Sequence, residues 1–167
     1  MKKHKESNLQ IRCVKHFRYE YPEFARLLYH PHNEGNAFNR LQQSIANKEG
    51  VVKGVADLIL QVPSYFSTDG EADDVKPVIR HSLAIELKDG RKGRQSPEQI
   101  TWQRLFEAAG GIYLVVRNYD DFVFAVDKWM LYVPLEIKQA VYETYTQIQA
   151  EDDRQAIALL KKITHGE

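Results

Sequence analysis

A mixed α/β domain, its sheet covered by helices on both sides, is predicted by the order of apolar runs along this sequence. Four short runs rich in branched and aromatic residues read as strands, at residues 51–62, 82–87, 112–116 and 122–126. A segment dense in helix signals separates the second from the third, and helical stretches flank the whole set. A helix crossing between two strands is the connection a parallel pair requires. The 167 residues fit one domain, and a hydrophobic share of 43% is enough to build its core.

The first helix is predicted over residues 6–19, where Leu9, Cys13, Val14 and Phe17 recur at helical spacing. "YPEFARLLYH" is a second apolar run, followed by the turn-rich loop "HPHNEGN" and a short helix in "AFNRLQQSIANKEG" that Gly50 ends. In "VVKGVADLILQV", Val55, Leu58, Ile59, Leu60 and Val62 make a nearly continuous apolar strand, which places it centrally in the sheet. A polar connection leads to the strand of "SLAIELKDG". After the basic turn "RKGRQ", Ser96 is an N-cap, Pro97 takes the first helical position, and Gly110 and Gly111 end the helix. Trp102, Leu105, Phe106 and Ala109 are expected to form its core face. "IYLVV" and "FVFAV" are read as the third and fourth strands. Two helices, over residues 134–150 and 153–163, close the chain. Residues 1–126 are thus expected to form the α/β domain, and 127–167 a helical extension packed on it.

Composition excludes some classes. One cysteine, Cys13, cannot form an intramolecular disulfide, so a reducing compartment is the expectation. The basic start "MKKHKESNLQ" is followed by no apolar stretch of the secretory kind, and no apolar run approaches the ~18 residues of a membrane span. Lys and Arg (23) balance Asp and Glu (23), so a global field does not point to a polyanionic partner. Local charge does. "KDGRKGR" gathers Lys88, Arg91, Lys92 and Arg94 against Asp89 alone, and "DGEADD" gathers four acids and no base.

The chemistry starts at Glu86 and Lys88. Strand side chains alternate, so these two share one face while Ile85 and Leu87 share the other. About 0.6 Glu-x-Lys triplets are expected by chance in such a chain, and this one has two. The second, Glu136-Ile137-Lys138, lies in a helical stretch, where residues two apart diverge by about 200°. Only the strand converges both groups. Asp57 interrupts the neighbouring apolar strand, where an unpaired carboxylate is costly. Asp57 and Glu86 at corresponding positions of adjacent strands form a place for a hard divalent cation, beside which Lys88 would act on a phosphate. The competing reading is a plain salt bridge to Lys88. Gln99, three residues after Ser96, completes a capping box. This cap sets the positive end of the helix, with Arg91, Lys92 and Arg94, near the carboxylates, a place that suits phosphates.

"GVADLIL" followed by "AIELKDGRKGRQSPEQITWQRLFEAAGGIYLVVRN" closely resembles the VRR-NUC domain, a branch of the PD-(D/E)xK nucleases. Gly-Val-x-Asp-Leu, Glu-x-Lys, a basic Gly-turn, Ser-Pro-Glu-Gln, a Trp three residues on, then Gly and an apolar strand occur in order, and the likeness runs from about Glu6 to Asp121. The resemblance implies a restriction-endonuclease-like fold and a nuclease with Asp57, Glu86 and Lys88 as its core triad and Gln99 as a further site residue. It implies Mg²⁺ or Mn²⁺ as cofactor. It also implies an acid on the first helix four residues before a Gln, which Glu6 and Gln10 match. Glu6, Gln10, Cys13 and Phe17 share a narrow helical sector. The alternative is a capping box at Ser7 and Gln10 that leaves Glu6 in solvent.

Two positions depart from the family pattern: Ala56 replaces a Pro, and His32 stands where "His-x-Pro-Asn" would have Pro, leaving His30 and Asn33 to line the DNA-facing side with Arg91, Lys92 and Arg94. Zinc held by His30 and His32 is disfavoured by the lack of further clustered Cys or His. The substrate implied is DNA, branched as a four-way junction or flap. The implied setting is phage or bacterial replication, recombination or repair in the cytoplasm, and the implied assembly is a homodimer, which the apolar helical stretches beyond Asp127 also suit. A DNA-binding or assembly module that keeps the fold without catalysis is the alternative. A small-molecule α/β enzyme would need a Gly-rich nucleotide loop, and none is present.

Overall fold

The computed structural model describes residues 3–31, 48–66, 78–88, 90 and 93–165. The short helix expected near residue 37 lies almost wholly outside them. Helix α1 spans Lys3–Glu20 and buries Cys13 and Phe17 on one face. A 3-10 helix over Pro22–Leu27, started by the fixed φ of Pro22, leads into β1, Leu28–Tyr29. Strands β2 (Leu58–Leu60), β3 (Leu83–Leu87) and β4 (Ile112–Val116) follow, with α2 (Pro97–Ala108) between the last two.

The sheet order is β1-β2-β3-β4, antiparallel across the first two pairs and parallel across β3 and β4. The crossover helix and the mixed sheet are those the apolar runs predict. β3 is buried along its whole length, as a strand with helices on both faces must be.

One stretch adopts a different structure. Residues 122–126, expected as a fourth strand, lie inside helix α3, Tyr119–Leu131. An uninterrupted apolar run of five has no period of its own. The flanking residues decide: the Asn118 side chain caps the helix by accepting from the Asp121 N–H at 2.8 Å, and Asp120 and Asp121 sit in the first turn, where negative charge is favourable. Phe122, Val126, Trp129 and Met130 then recur on the buried face, while Phe124 is 71% exposed. The role of fourth strand falls to β1, from the "YPEFARLLYH" run.

The two closing helices are one, α4, Leu135–His165. The acidic residues 151–153 do not break it, since only Gly or Pro would do so and neither lies within its span. The chain divides into two compact units, Met1–Val133 and Pro134–Glu167.

In the first unit α1 and α3 pack on each other and on the sheet. The other side of the sheet carries a cluster of Ala56, Ala84 and Tyr113, against which Trp102, Phe106 and Val115 pack. Gly111 lets Phe106 lie against the chain, since a Cβ there would stand 2.2 Å from its ring. The expected core face of α2 is narrower than its pattern suggested. Trp102 and Phe106 stack at 4.7 Å, but Leu105 is 67% exposed and Ala109 is exposed at the C-cap. Residues four apart meet the sheet, and the flanking positions turn to solvent.

Candidate active site

The site forms where β2, β3 and the start of α2 meet. In the antiparallel register Leu58 faces Ile85, so the next step along places Asp57 across from Glu86. The chain bends at Asp57, just before β2, and the Leu87 N–H donates to Asp57 Oδ2 at 2.8 Å. Glu86, at mid-sheet, is 1% exposed. Lys88 continues the β3 ladder through its backbone N–H to Val116 O at 2.9 Å. Its ammonium therefore returns to the Glu86 face, donating to Glu86 Oε1 at 2.6 Å.

Gln99 joins this pair from α2. The capping box is complete: Gln99 N–H donates to Ser96 Oγ at 3.2 Å, and Ser96 N–H donates to Gln99 Oε1 at 2.9 Å. The same side chain donates through Nε2 to Glu86 Oε1 and accepts from Lys88 Nζ at 3.1 Å. The helix start is brought this close by Gly54. Its φ is +80°, and a Cβ there would stand 2.4 Å from the carbonyl carbon of Glu98, so only glycine fits.

Burial pushes both carboxyls above their ordinary range. For Glu86 the charge of Asp57 adds to burial, opposed by Lys88 and by the hydroxyl of Tyr113. For Asp57 burial is again the main cause, opposed by the Leu87 N–H, Lys88 and His30, while Glu6 adds to it. A buried carboxyl raised by the charge of a second one across the sheet is relieved when a cation binds between them. Glu6 lies in the first turn of α1, inside the helix, so a capping box that leaves it outside does not form. Its charge acts on Asp57 from there.

Asp57, Glu86, Lys88 and Gln99 are therefore brought together, with Glu6 within electrostatic reach. His30 is exposed, and its Nδ1–H meets the backbone carbonyl of Asp57; a carbonyl only accepts, so the proton is on Nδ1. Arg94 is exposed beside the start of α2. Asn33, His32, Arg91 and Lys92 lie outside the described residues. Tyr113, which the sequence reading passed over as part of an apolar strand, donates to Glu86 Oε2 at 3.1 Å. Only the sheet register reveals it: Tyr113 lies opposite Ala84, two residues before Glu86 on the same face.

Among the described residues no group of three His, Cys, Asp or Glu is gathered as a ready cation cage. The donor set still fits a hard divalent ion. Mg²⁺ keeps several of its waters and takes one or two carboxylates, and Asp57 and Glu86 supply two oxygen donors in register. No helix among the described residues is long and apolar enough to cross a membrane.

No family model matches the chain, and no curated protein does. Among solved structures, its fold is shared with a VRR_NUC domain protein, at a TM-score of 0.58 over 77% of this chain and 89% of that one, with 14% sequence identity. At that identity the likeness is one of fold.

Proposed function

We propose that this chain is a Mg²⁺- or Mn²⁺-dependent DNA endonuclease that hydrolyses phosphodiester bonds, with branched DNA, a four-way junction or a flap, as its substrate. The observation that carries the reading is the convergence of Lys88 and Gln99 on one oxygen of Glu86, with Asp57 across the sheet. The fold shared with a VRR_NUC domain protein supports it. A divalent ion at Asp57 and Glu86, with Glu6, would polarise the scissile phosphate and lower the pKa of the attacking water.

The chain's own residues do the rest. Lys88 carries a positive charge to the phosphate oxygens as negative charge develops there. Gln99 holds Lys88 and Glu86 in one orientation from the capped start of α2. Arg94, with Arg91 and Lys92, holds flanking phosphates without reading bases, and His30 and Asn33 complete the DNA-facing side. The chain is a homodimer in this reading, which suits the cutting of two strands. Sedimentation at micromolar concentration should give the dimer mass, and a clean monomer would remove that part.

A second reading, a DNA-binding module without catalysis, rests on the direct Lys88–Glu86 ion pair, which holds the buried acid without a cation. One experiment separates the two. Labelled linear, flap and four-way-junction DNAs are incubated with Mg²⁺, with Mn²⁺ and with EDTA. Cleavage of the branched forms in metal alone is expected. Binding without cleavage in any metal would leave the second reading standing, and undiminished cleavage after exhaustive chelation would sink the metal mechanism.

A further inference from the structure

Among the described residues, Tyr113 is the one polar side chain bonded to the buried carboxylate to which the proposed reaction gives no part. It is 5% exposed. Its ring belongs to the cluster with Ala56 and Ala84, with Trp102 and Phe106 packed against it and the Trp102 centroid 5.9 Å away. The hydroxyl direction is thus set by strand register and core packing, not by a loop. It donates to Glu86 Oε2, while Lys88 and Gln99 both take Oε1. A hydrogen bond from Gln95 reaches the same hydroxyl, and Gln95 in turn donates to Gln103 on α2 at 2.8 Å. A phenylalanine would fill the same space. The hydroxyl is what the packing does not need and the site uses.

We propose that Tyr113 is a positioning residue for Glu86: its O–H holds Oε2, fixing the plane of a carboxylate whose other oxygen meets Lys88 and Gln99. This rests on the nuclease reading. A carboxylate with three donors distributed over two oxygens has one orientation. Without Tyr113 it can turn about its last bond toward Lys88 and Gln99. Groups that orient a ligand in this way, without touching the ion, typically govern about 10- to 100-fold in metal affinity or activity.

The test compares the full-length parent, Tyr113→Phe and Trp102→Phe. Mn²⁺ binding without DNA is measured by calorimetry and by loss of the free-ion electron paramagnetic resonance signal. Cleavage of a four-way junction is then followed at saturating Mn²⁺, and thermal melts report folding. Tyr113→Phe should melt close to the parent, bind Mn²⁺ about 10- to 100-fold more weakly, and lower kcat while KM for DNA stays put. Trp102→Phe disturbs the same cluster but keeps the hydroxyl. It should melt earlier and bind Mn²⁺ like the parent. If Tyr113→Phe binds Mn²⁺ as the parent does, or if Trp102→Phe weakens Mn²⁺ equally, Tyr113 is only a packing residue. A parent that neither binds Mn²⁺ nor cuts DNA overturns the nuclease reading itself, and the positioning role with it, a pattern distinct from either of those.

Discussion

Glu86 and Glu136 are each followed two residues later by lysine, and composition cannot tell the two triplets apart. Structure can. Glu86 is buried and bonded to Lys88, whereas Glu136 is exposed in the first turn of α4. Glu86→Gln and Lys88→Ala should each slow single-turnover junction cleavage by about 10²-fold or more, with DNA binding in Ca²⁺ largely kept. Glu136→Gln should stay within about a factor of two, since surface changes seldom exceed about 0.5 kcal/mol. Equal cleavage by all three would end the assignment. Asp57 adds a pH test. Folding raises the pKa of Asp57 and Glu86, so the metal-free folded state holds protons that the unfolded chain has lost. Their contribution to stability is full below the unfolded carboxylate range of about 4 and is lost as pH rises through the folded values. Asp57→Asn keeps an acceptor for the Leu87 N–H and removes one of the two charges. In EDTA it should melt with the parent near pH 4 and above the parent at about pH 8. A gap that does not grow with pH would contradict the repulsion.

At the level of elements, β3, β4 and α2 were readable because local signals agreed with the fold: continuous apolar runs for buried strands, and Ser96, Pro97, Gln99 and Gly110 punctuating the helix. Residues 122–126 misled because Phe122, Val123, Phe124, Ala125 and Val126 satisfy a strand and a helix equally, and the deciding cap, Asn118, lies four residues upstream. The site was legible as far as Asp57, Glu86, Lys88 and Gln99, since strand alternation and a capping box are properties of short segments. Tyr113 was not, because only the register between β3 and β4, set by a crossover of more than twenty residues from Lys88 to Gly111, brings it to Glu86. The close approach of Gly54 to α2 was equally invisible. Gly54→Ala would bring a Cβ against the Glu98 backbone at a φ that side chains avoid. A loss of about 2 kcal/mol or more is expected in urea unfolding, with cleavage falling further as Gln99 is displaced. A stability within about 0.5 kcal/mol of the parent would show that α2 yields freely there.

For the molecule as a whole, equal numbers of acids and bases mean that the DNA binding proposed above would depend on where charges lie. The basic stretch that follows β3 in the sequence ends at Arg94, exposed just before α2. Replacing Arg91, Lys92 and Arg94 with Ala should weaken binding on every DNA sequence alike. The slope of log K against log salt should fall by up to about 0.9 per lost contact. An unchanged slope would place DNA elsewhere. The fold class was legible at this scale because a crossover helix between apolar strands admits few topologies.

Gln99 closes the cap of α2 and, with the same side chain, holds Glu86 and Lys88. Helix ends open and close far more often than a whole domain unfolds. Each such opening here would take Gln99 from the buried acid together with the first turn's hydrogen bonds, leaving Lys88 and Tyr113 on Glu86. In the proposed reaction, the rate is then tied to the fraying equilibrium of one helical turn. The amides of Ser96 and Gln99 become reporters of it, and warming would slow the proposed cleavage in step with their solvent exchange, well before the sheet lets go.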